Sequence, residues 1–251
     1  MSNNKILGSM ILKRIFTAIQ HPGSILYPNS WCNEVFLTFL RGKGMKIGNN
    51  TRFINPSSCS IDFGRANYIT IGNNCCLSQV NLIAHDYSWY VMLEAYNDIT
   101  PDPGGEISIG NNCFIGFDAV ILKDTHIGDN VIIGARSVVK GNIPSNTVWA
   151  GVPAKQICTL DEMYKRRIND RIKDAVYRRN HIRKVDNREA SISDMGMFAY
   201  LFLERTEVNY DKYIKKLEMN GIKDNPTLRI FFFNSTPVFS SFEEFLSYEN
   251  K

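Results

Sequence analysis

Aliphatic residues return every six positions through the middle of this chain. Ile109, Ile115, Ile121, Ile127, Ile133 and Val139 keep that spacing without a slip, Ile71, Leu77 and Ile83 form an earlier block, and Ile47-Gly48 opens another. Glycine follows at 48, 72, 110, 116, 128 and 134, and four places after the aliphatic residue stand Thr51, Cys75, Cys113, Ala119, Thr125, Val131, Ser137 and Ile143. Neither a helix of 3.6 residues per turn nor a strand of period two produces this beat. A solenoid does, each unit forming one short side of a coil. A single coil cannot bury its own aliphatic residue; coils stacked about 4.8 Å apart bury them in one interior column. The second inward position lies near a corner and must be small, and the glycine is expected to let the backbone turn that corner.

The beat divides the chain. Residues 1–45 read as an N-terminal helical segment: Ile6, Leu7, Met10, Ile11, Ile15 and Ile19 recur at helical spacing, and a second apolar stretch runs from Trp31 to Leu40. The first run is too short for a membrane span and is not followed by a small-residue cleavage site. A helix packed on the protein, or one lying on a membrane surface, accounts for it. Residues 46–157 are the coils, losing the beat near Pro56–Asn67 and interrupted between Ile83 and Ile109. That interruption holds a projecting loop, 85–106, too aromatic for disorder. Residues 158–251 leave the repeat and read as a mostly helical extension. Helices are expected at Met163–Arg183 (with Tyr164, Ile168, Ile172, Ala175 and Tyr177 near one stripe), Met195–Leu203, Tyr210–Met219 and Phe239–Tyr248, and a strand at Leu228–Phe233.

With 29 basic and 25 acidic residues the net charge is +4, which gives no case for a nucleic-acid partner. Of six cysteines, Cys75 and Cys113 fill the small inward slot as compact hydrophobes, and Cys32, Cys59, Cys76 and Cys158 show no CxxC spacing. The expectation is a reducing, cytoplasmic setting. The segment Lys165–Lys184 is basic, with Arg166, Arg167, Arg178 and Arg179 among its cations. It reads as a solvated face or as a patch for an acidic polysaccharide or a phosphate-linked acceptor near a membrane.

His85 is the foremost catalytic candidate. It follows a coil and opens the inserted loop, where a neutral imidazole can take a proton from a hydroxyl. Asp86, or alternatively Glu94, would hold its second ring nitrogen, as would a backbone carbonyl. His126 precedes a regular repeat with no insertion around it and reads as a solvated turn residue. His21 and His181 lie outside the coils. With only His85 and His126 inside them, a metal site is not expected.

The phrases IGNNCF, IGFDAV, IGDNVI and IGARSV, followed by IPSNTVWAGVPAK, resemble the hexapeptide-repeat acyltransferases, in particular the maltose, galactoside and xenobiotic O-acetyltransferase branch. The likeness covers roughly residues 47–157. It implies a mainly β fold, a left-handed parallel β-helix assembled as a homotrimer, and acetyl-CoA as donor without a metal. It also implies His85 as general base, with Gly134, Ala135, Ala150 and Gly151 against the pantetheine arm and Lys140, Lys155 and Arg136 toward the CoA phosphates. Phe114 stands where relatives pack an aromatic on the acceptor, whereas Phe117 departs from the family's Ser; Tyr87 and Trp89 are further candidates for the acceptor wall. The expected activity is O-acetylation of a saccharide, with a capsular or other surface-polysaccharide sugar preferred because of the long tail and its basic segment. The alternatives are an antibiotic acetyltransferase, an amino-sugar N-acetyltransferase and a non-catalytic scaffold. Peripheral attachment to the inner face of a membrane stands beside the cytoplasmic reading.

Overall fold

A computed structural model describes residues 33–218 and 224–249. The expected first helix, Trp31, Cys32, His21 and the expected helix end at Met219–Gly221 lie outside the described residues. The chain divides into two compact units, one ending at Met163 and one from Tyr164 onward.

The first unit opens with a helix, α1 (Asn33–Gly42), which buries Phe36, Leu37 and Leu40. Short strands then wind through three columns. Strands β1 (Lys46–Ile47), β4 (Ile69–Ile71), β7 (Ile107–Ile109) and the later halves of β9 (Val120–Ile127) and β11 (Val138–Ile143) form one column. Strands β2 (Arg52–Ile54), β5 (Cys76–Ser78), β8 (Phe114–Ile115), β10 (Ile132–Ile133) and β12 (Thr147–Gly151) form the second. The third consists of β3 (Ser60–Ile61), β6 (Asn81–Ile83) and the first halves of β9 and β11. All these pairings are parallel; a final antiparallel strand, β13 (Ala154–Thr159), folds back on β12. The expected residues are inside: Ile71, Ile109, Ile115, Ile121, Ile127, Ile133 and Val139 are at most 3% exposed, and so are the small residues four places on.

Three local expectations are corrected. Glycine does not turn the corners. The left-handed φ falls one residue before the small inward position, on Asn50, Asn74, Asn112, Asn130 and Asn146 at φ 55–61°, where asparagine tolerates that conformation best. The Asn112 amide donates to Asn130 Oδ1 at 2.7 Å and that of Asn130 to Asn146 Oδ1 at 2.9 Å, so the corner residues form a ladder. Glycine is required because coils approach closely: a Cβ on Gly110 would stand 2.7 Å from the Gly128 backbone and 2.5 Å from Asp129 Oδ1. Second, Ile83 is not in the interior column. The turn through Gln79 is one residue short, so Leu82 is buried against Ile121, and half-buried Ile83 faces outward beside Leu122. Third, the 85–106 insertion is not all loop, since Trp89–Tyr96 forms a helix, α2. The insertion is closed at its base by the Gly105 amide donating to the Ala84 carbonyl at 3.0 Å.

The second unit takes over inside the first turn of α3 (Leu160–Asp186). Its core gathers aromatic residues: Tyr210, Tyr213, Phe202, Phe232, Phe239 and Phe245, with Met195, Leu201 and Leu217. The buried side of α3 carries Ala175, Val176 and Arg179, whereas Tyr164 and Tyr177 of the expected stripe are exposed. The Met195–Leu203 helix is replaced by a four-residue α4 (Ile192–Met195) and a 3₁₀ turn, Gly196–Leu201. Helix α5 (Glu207–Glu218) and α7 (Phe242–Ser247) fall where helices were expected. Leu228–Phe233 is not a strand but lies in α6 (Pro226–Asn234). Asn225 accepts from the Leu228 amide at 2.9 Å and Pro226 occupies the first turn, and these start signals override the β-like apolar run.

Arg179 is 2% exposed. Its Nη1 donates to the carbonyl oxygens of Phe245, Leu246 and Tyr248 at 2.6, 3.2 and 2.7 Å, closing the end of α7. Arg178 donates to the Asp194 carbonyl and Arg183 grips Glu189. Burial removes Arg179 from the basic patch the sequence suggested, whereas Arg178 stays exposed and Arg183 half-exposed.

Candidate active site

A cleft of about 360 Å³ lies on the third column, lined by Ile83, His85, Asp86, Tyr87, Leu122, Lys123 and Lys140. Its floor follows from the register: Ile83 pairs with Leu122, and Val139 with Ile121, so Lys140 comes one strand beyond Leu122. The one-residue shortening at Gln79 turns Ile83 out to make this floor.

His85 is held by Asp62, not by Asp86. Its Nδ1 makes a short hydrogen bond with Asp62 Oδ2, and the Asp62 side chain is only 6% exposed. Asp62 sits there because β3 pairs with β6, its own amide donating to the Leu82 carbonyl at 3.1 Å. The other Asp62 oxygen accepts the Arg65 amide at 3.2 Å, and the Arg65 guanidinium stands 3.9 Å from Oδ2. A carboxylate acceptor fixes the proton on Nδ1 and leaves Nε2 with its lone pair. Tyr87 packs edge-on to the imidazole at 4.4 Å between centroids.

Asp86 is occupied elsewhere. Its Oδ1 accepts the Ser88 amide at 2.6 Å just before α2, and Ser88 holds its carboxyl below the usual carboxylate range. Its own amide donates to Asp102 Oδ2 at 2.8 Å, while Asp102 Oδ1 takes Lys123 Nζ. Lys123 thus ties the returning end of the insertion to the coil, and Asp102 pushes its pKa up. Glu94 lies in α2 and does not line the cleft.

The remaining candidates separate into two places. Gly134, Ala135 and Arg136 form the corner after β10, with the Gly134 amide donating to the Trp149 carbonyl at 2.8 Å. Ala150 packs directly on that corner: a Cβ on Gly134 would stand 2.7 Å from the Ala150 Cβ. The Gly151 amide donates to Ser137 Oγ at 3.1 Å, and Lys155 pairs with Ala150 across the hairpin. Arg136 lies 3.6 Å from Asp118 in an exposed pair. The Ala135 and Ala150 side chains end at Cβ, and Ala135 is exposed. Lys140 belongs instead to the His85 cleft. Phe114 and Phe117 are 42% and 44% exposed on or beside the second column and do not line that cleft; Tyr87 does, and Trp89 is half-buried in α2. His126 lies on β9, exposed, with Nδ1 2.8 Å from Ser108 Oγ, far in register from His85.

Sequence reasoning missed Asp62, Arg65, Lys123 and Asp102. Asp62 had one visible signal, being the single acid in the Pro56–Asn67 stretch where the beat fails. Cys75 and Cys113 are buried free thiols, each donating to a carbonyl of the next coil (Gly110 and Gly128, both at 3.1 Å). Among the described residues no cluster of three or more His, Cys, Asp or Glu gathers as a metal site, and no helix is long and apolar enough to cross a membrane.

The family described as "Bacterial transferase hexapeptide (six repeats)" matches residues 106–141. Galactoside O-acetyltransferase of Escherichia coli (strain K12) is 33% identical over 167 residues, 61% of this chain and 74% of that protein. Protein CapG of Staphylococcus aureus is 37% identical over 131 residues, 51% of this chain and 73% of CapG. WbbJ of Escherichia coli (strain K12), provisionally named a lipopolysaccharide biosynthesis O-acetyl transferase, is 36% identical over 96 residues. That match spans 36% of this chain and about half of WbbJ, 49%. The chain belongs to the hexapeptide-repeat acyltransferases.

Proposed function

We propose that this protein transfers the acetyl group of acetyl-CoA to a hydroxyl of a saccharide, with His85 as general base and Asp62 as the residue that positions it. The observation that carries the reading is the His85–Asp62 pair at the mouth of a cleft. Nδ1 is committed to a buried carboxylate, so the basic nitrogen is Nε2. In the transfer, Nε2 takes the proton of the acceptor hydroxyl as its oxygen attacks the thioester carbonyl carbon. The C–O bond forms, the C–S bond breaks, and the departing thiolate recovers the proton from the imidazolium. No covalent enzyme intermediate is needed. Asp62 also stabilises the transient imidazolium, which is the function of a buried carboxylate behind a catalytic histidine.

Acetyl-CoA is assigned as donor from family membership and from the bare backbone at Gly134, Ala135, Ala150 and Gly151, with Lys155 and Arg136 toward its phosphates. We read the coils as left-handed from family membership, and the assembly as a trimer because the cleft and the Gly134–Ala150 corner occupy different ends of a coil face and meet only if a neighbouring subunit supplies one of them. A saccharide acceptor is supported by the names of two relatives, the galactoside enzyme and WbbJ. The donor and the free thiols support a cytoplasmic location.

The test is acetyl-CoA turnover against neutral and acidic sugars, amino sugars and amino-antibiotics, each scored by the mass gain of one acetyl group. Acetylation of a saccharide oxygen is the expected result. Transfer only to amines, or no transfer to any member of the panel, contradicts the reading.

A further inference from the structure

We infer that the acceptor carries a carboxylate, as in a hexuronic acid, and that Lys140 binds it; this rests on the acetyl-transfer reading above. Two lysines line the His85 cleft, and their surroundings differ. Lys123 is saturated: Asp102 takes its ammonium directly, and Asp86 and Asp124 add their negative charge. Lys140 is exposed in the same cleft and has no acidic partner among the described residues. An ammonium facing the cleft without an acid leaves a place for an anion that arrives with the substrate.

The spacing suits one sugar residue. Ile83, the Leu122 position and Lys140 lie on three successive strands, so the backbones at the two ends stand about 10 Å apart. A pyranose set on the apolar floor of Ile83 and Leu122, with one hydroxyl at His85, directs a ring carboxylate toward the lysine. Tyr87 closes the side nearest the imidazole. The other anion in the reaction, the CoA phosphate group, has its own cations at the Gly134–Ala150 corner and in the β12–β13 hairpin.

The experiment compares oligosaccharides ending in glucuronate with the same oligosaccharides ending in glucose, using full-length parent enzyme, Lys140→Gln and Lys140→Glu. Acceptor KM, acetyl-CoA KM and calorimetric affinity for free glucuronate are measured for each. A charge-assisted hydrogen bond separates the two sugars by a factor of about ten to a hundred. The parent is expected to prefer glucuronate by about that factor, Lys140→Gln to abolish the preference, and Lys140→Glu to reverse it, with acetyl-CoA KM unchanged. Equal use of both sugars by the parent overturns the inference while leaving saccharide acetylation intact. So does a rise in acetyl-CoA KM in Lys140→Gln with acceptor preference preserved, which would place Lys140 on the donor. Absence of transfer to every saccharide removes the underlying reading, and this inference with it.

Discussion

The coil stack and the C-terminal unit bury their cores by opposite means. In the coils each problem recurs and is solved alike from turn to turn: an aliphatic residue inward, a left-handed residue at the corner (asparagine along one edge, Gln79, Asp118, Asp124 and Arg136 at others), a glycine where the next coil passes. In the C-terminal unit nothing recurs. Arg179 and Arg205 are inserted among aromatic rings, 5.3 Å from the Phe245 ring centre and 4.8 Å from that of Phe232, and spend their donors on carbonyl oxygens. A repeat distributes stability over many equivalent contacts; the second unit concentrates it in a few unique ones. The proposed chemistry sits where the repeat departs from its own rule, at the shortened turn, the inserted helix and the aspartate in the off-beat stretch.

The contrast is most severely tested in the coil interior. Ile127→Asp places a carboxylate in the middle of the aliphatic column, at a cost of several kcal/mol, and should abolish folding of residues 46–157, read by loss of far-UV circular dichroism and of hydrogen-exchange protection. Survival of the fold would mean that the column is not the core. The next largest effect belongs to the other region. Arg179→Met removes the cation and takes the donor from the Tyr248 carbonyl, while the Leu246 carbonyl keeps Arg183 and the Phe245 carbonyl keeps the Tyr248 amide, a cost of about 1–3 kcal/mol. Hydrogen exchange should open residues 192–218 and 224–249 while coil protection stays at the parent level. Uniform loss across both units would erase the distinction.

The smallest effect concerns Asp194, whose carboxyl caps α4 through Ser191 and pairs with Arg188. Arg188 and Ser191 hold its pKa below the ordinary 3.8. A carboxylate depressed in the folded state contributes stability above its unfolded pKa and loses it as pH falls through the folded one. The parent should therefore lose part of the second unit's stability as pH falls below about 4, and Asp194→Asn should lack that component. Ser191→Ala should cost about 1 kcal/mol at neutral pH. Identical acid profiles for parent and Asp194→Asn would show that the cap contributes nothing.

The coils were legible because a six-residue period is dictated by stacking, and each hit reinforces the next. His85 was legible as a candidate for the same reason: an insertion stands out against a regular background. Asp62 was not, since it reaches His85 only through the register of β3 on β6, and that register is fixed by a coil whose aliphatic beat has lapsed. Ile83 was placed inside because counting by six cannot see a turn shortened by one residue. In the tail, Leu228–Phe233 read as a strand from its apolar run, although Asn225-Pro226 supplied a helix start. Nothing local marked Arg179 as buried, because its partners lie more than sixty residues away.

The most direct measurement is single-turnover acetyl transfer to a saccharide hydroxyl by the parent, His85→Ala, Asp62→Asn and His126→Ala, with acetyl-CoA affinity determined separately for each. His85→Ala should slow transfer by about 10²–10⁴-fold, the contribution of a positioned general base. Asp62→Asn should fall between it and the parent, with an altered pH–rate profile, while His126→Ala stays within a few-fold of the parent and donor affinity holds throughout. Equal losses at His85 and His126, or full activity in His85→Ala, would contradict the account.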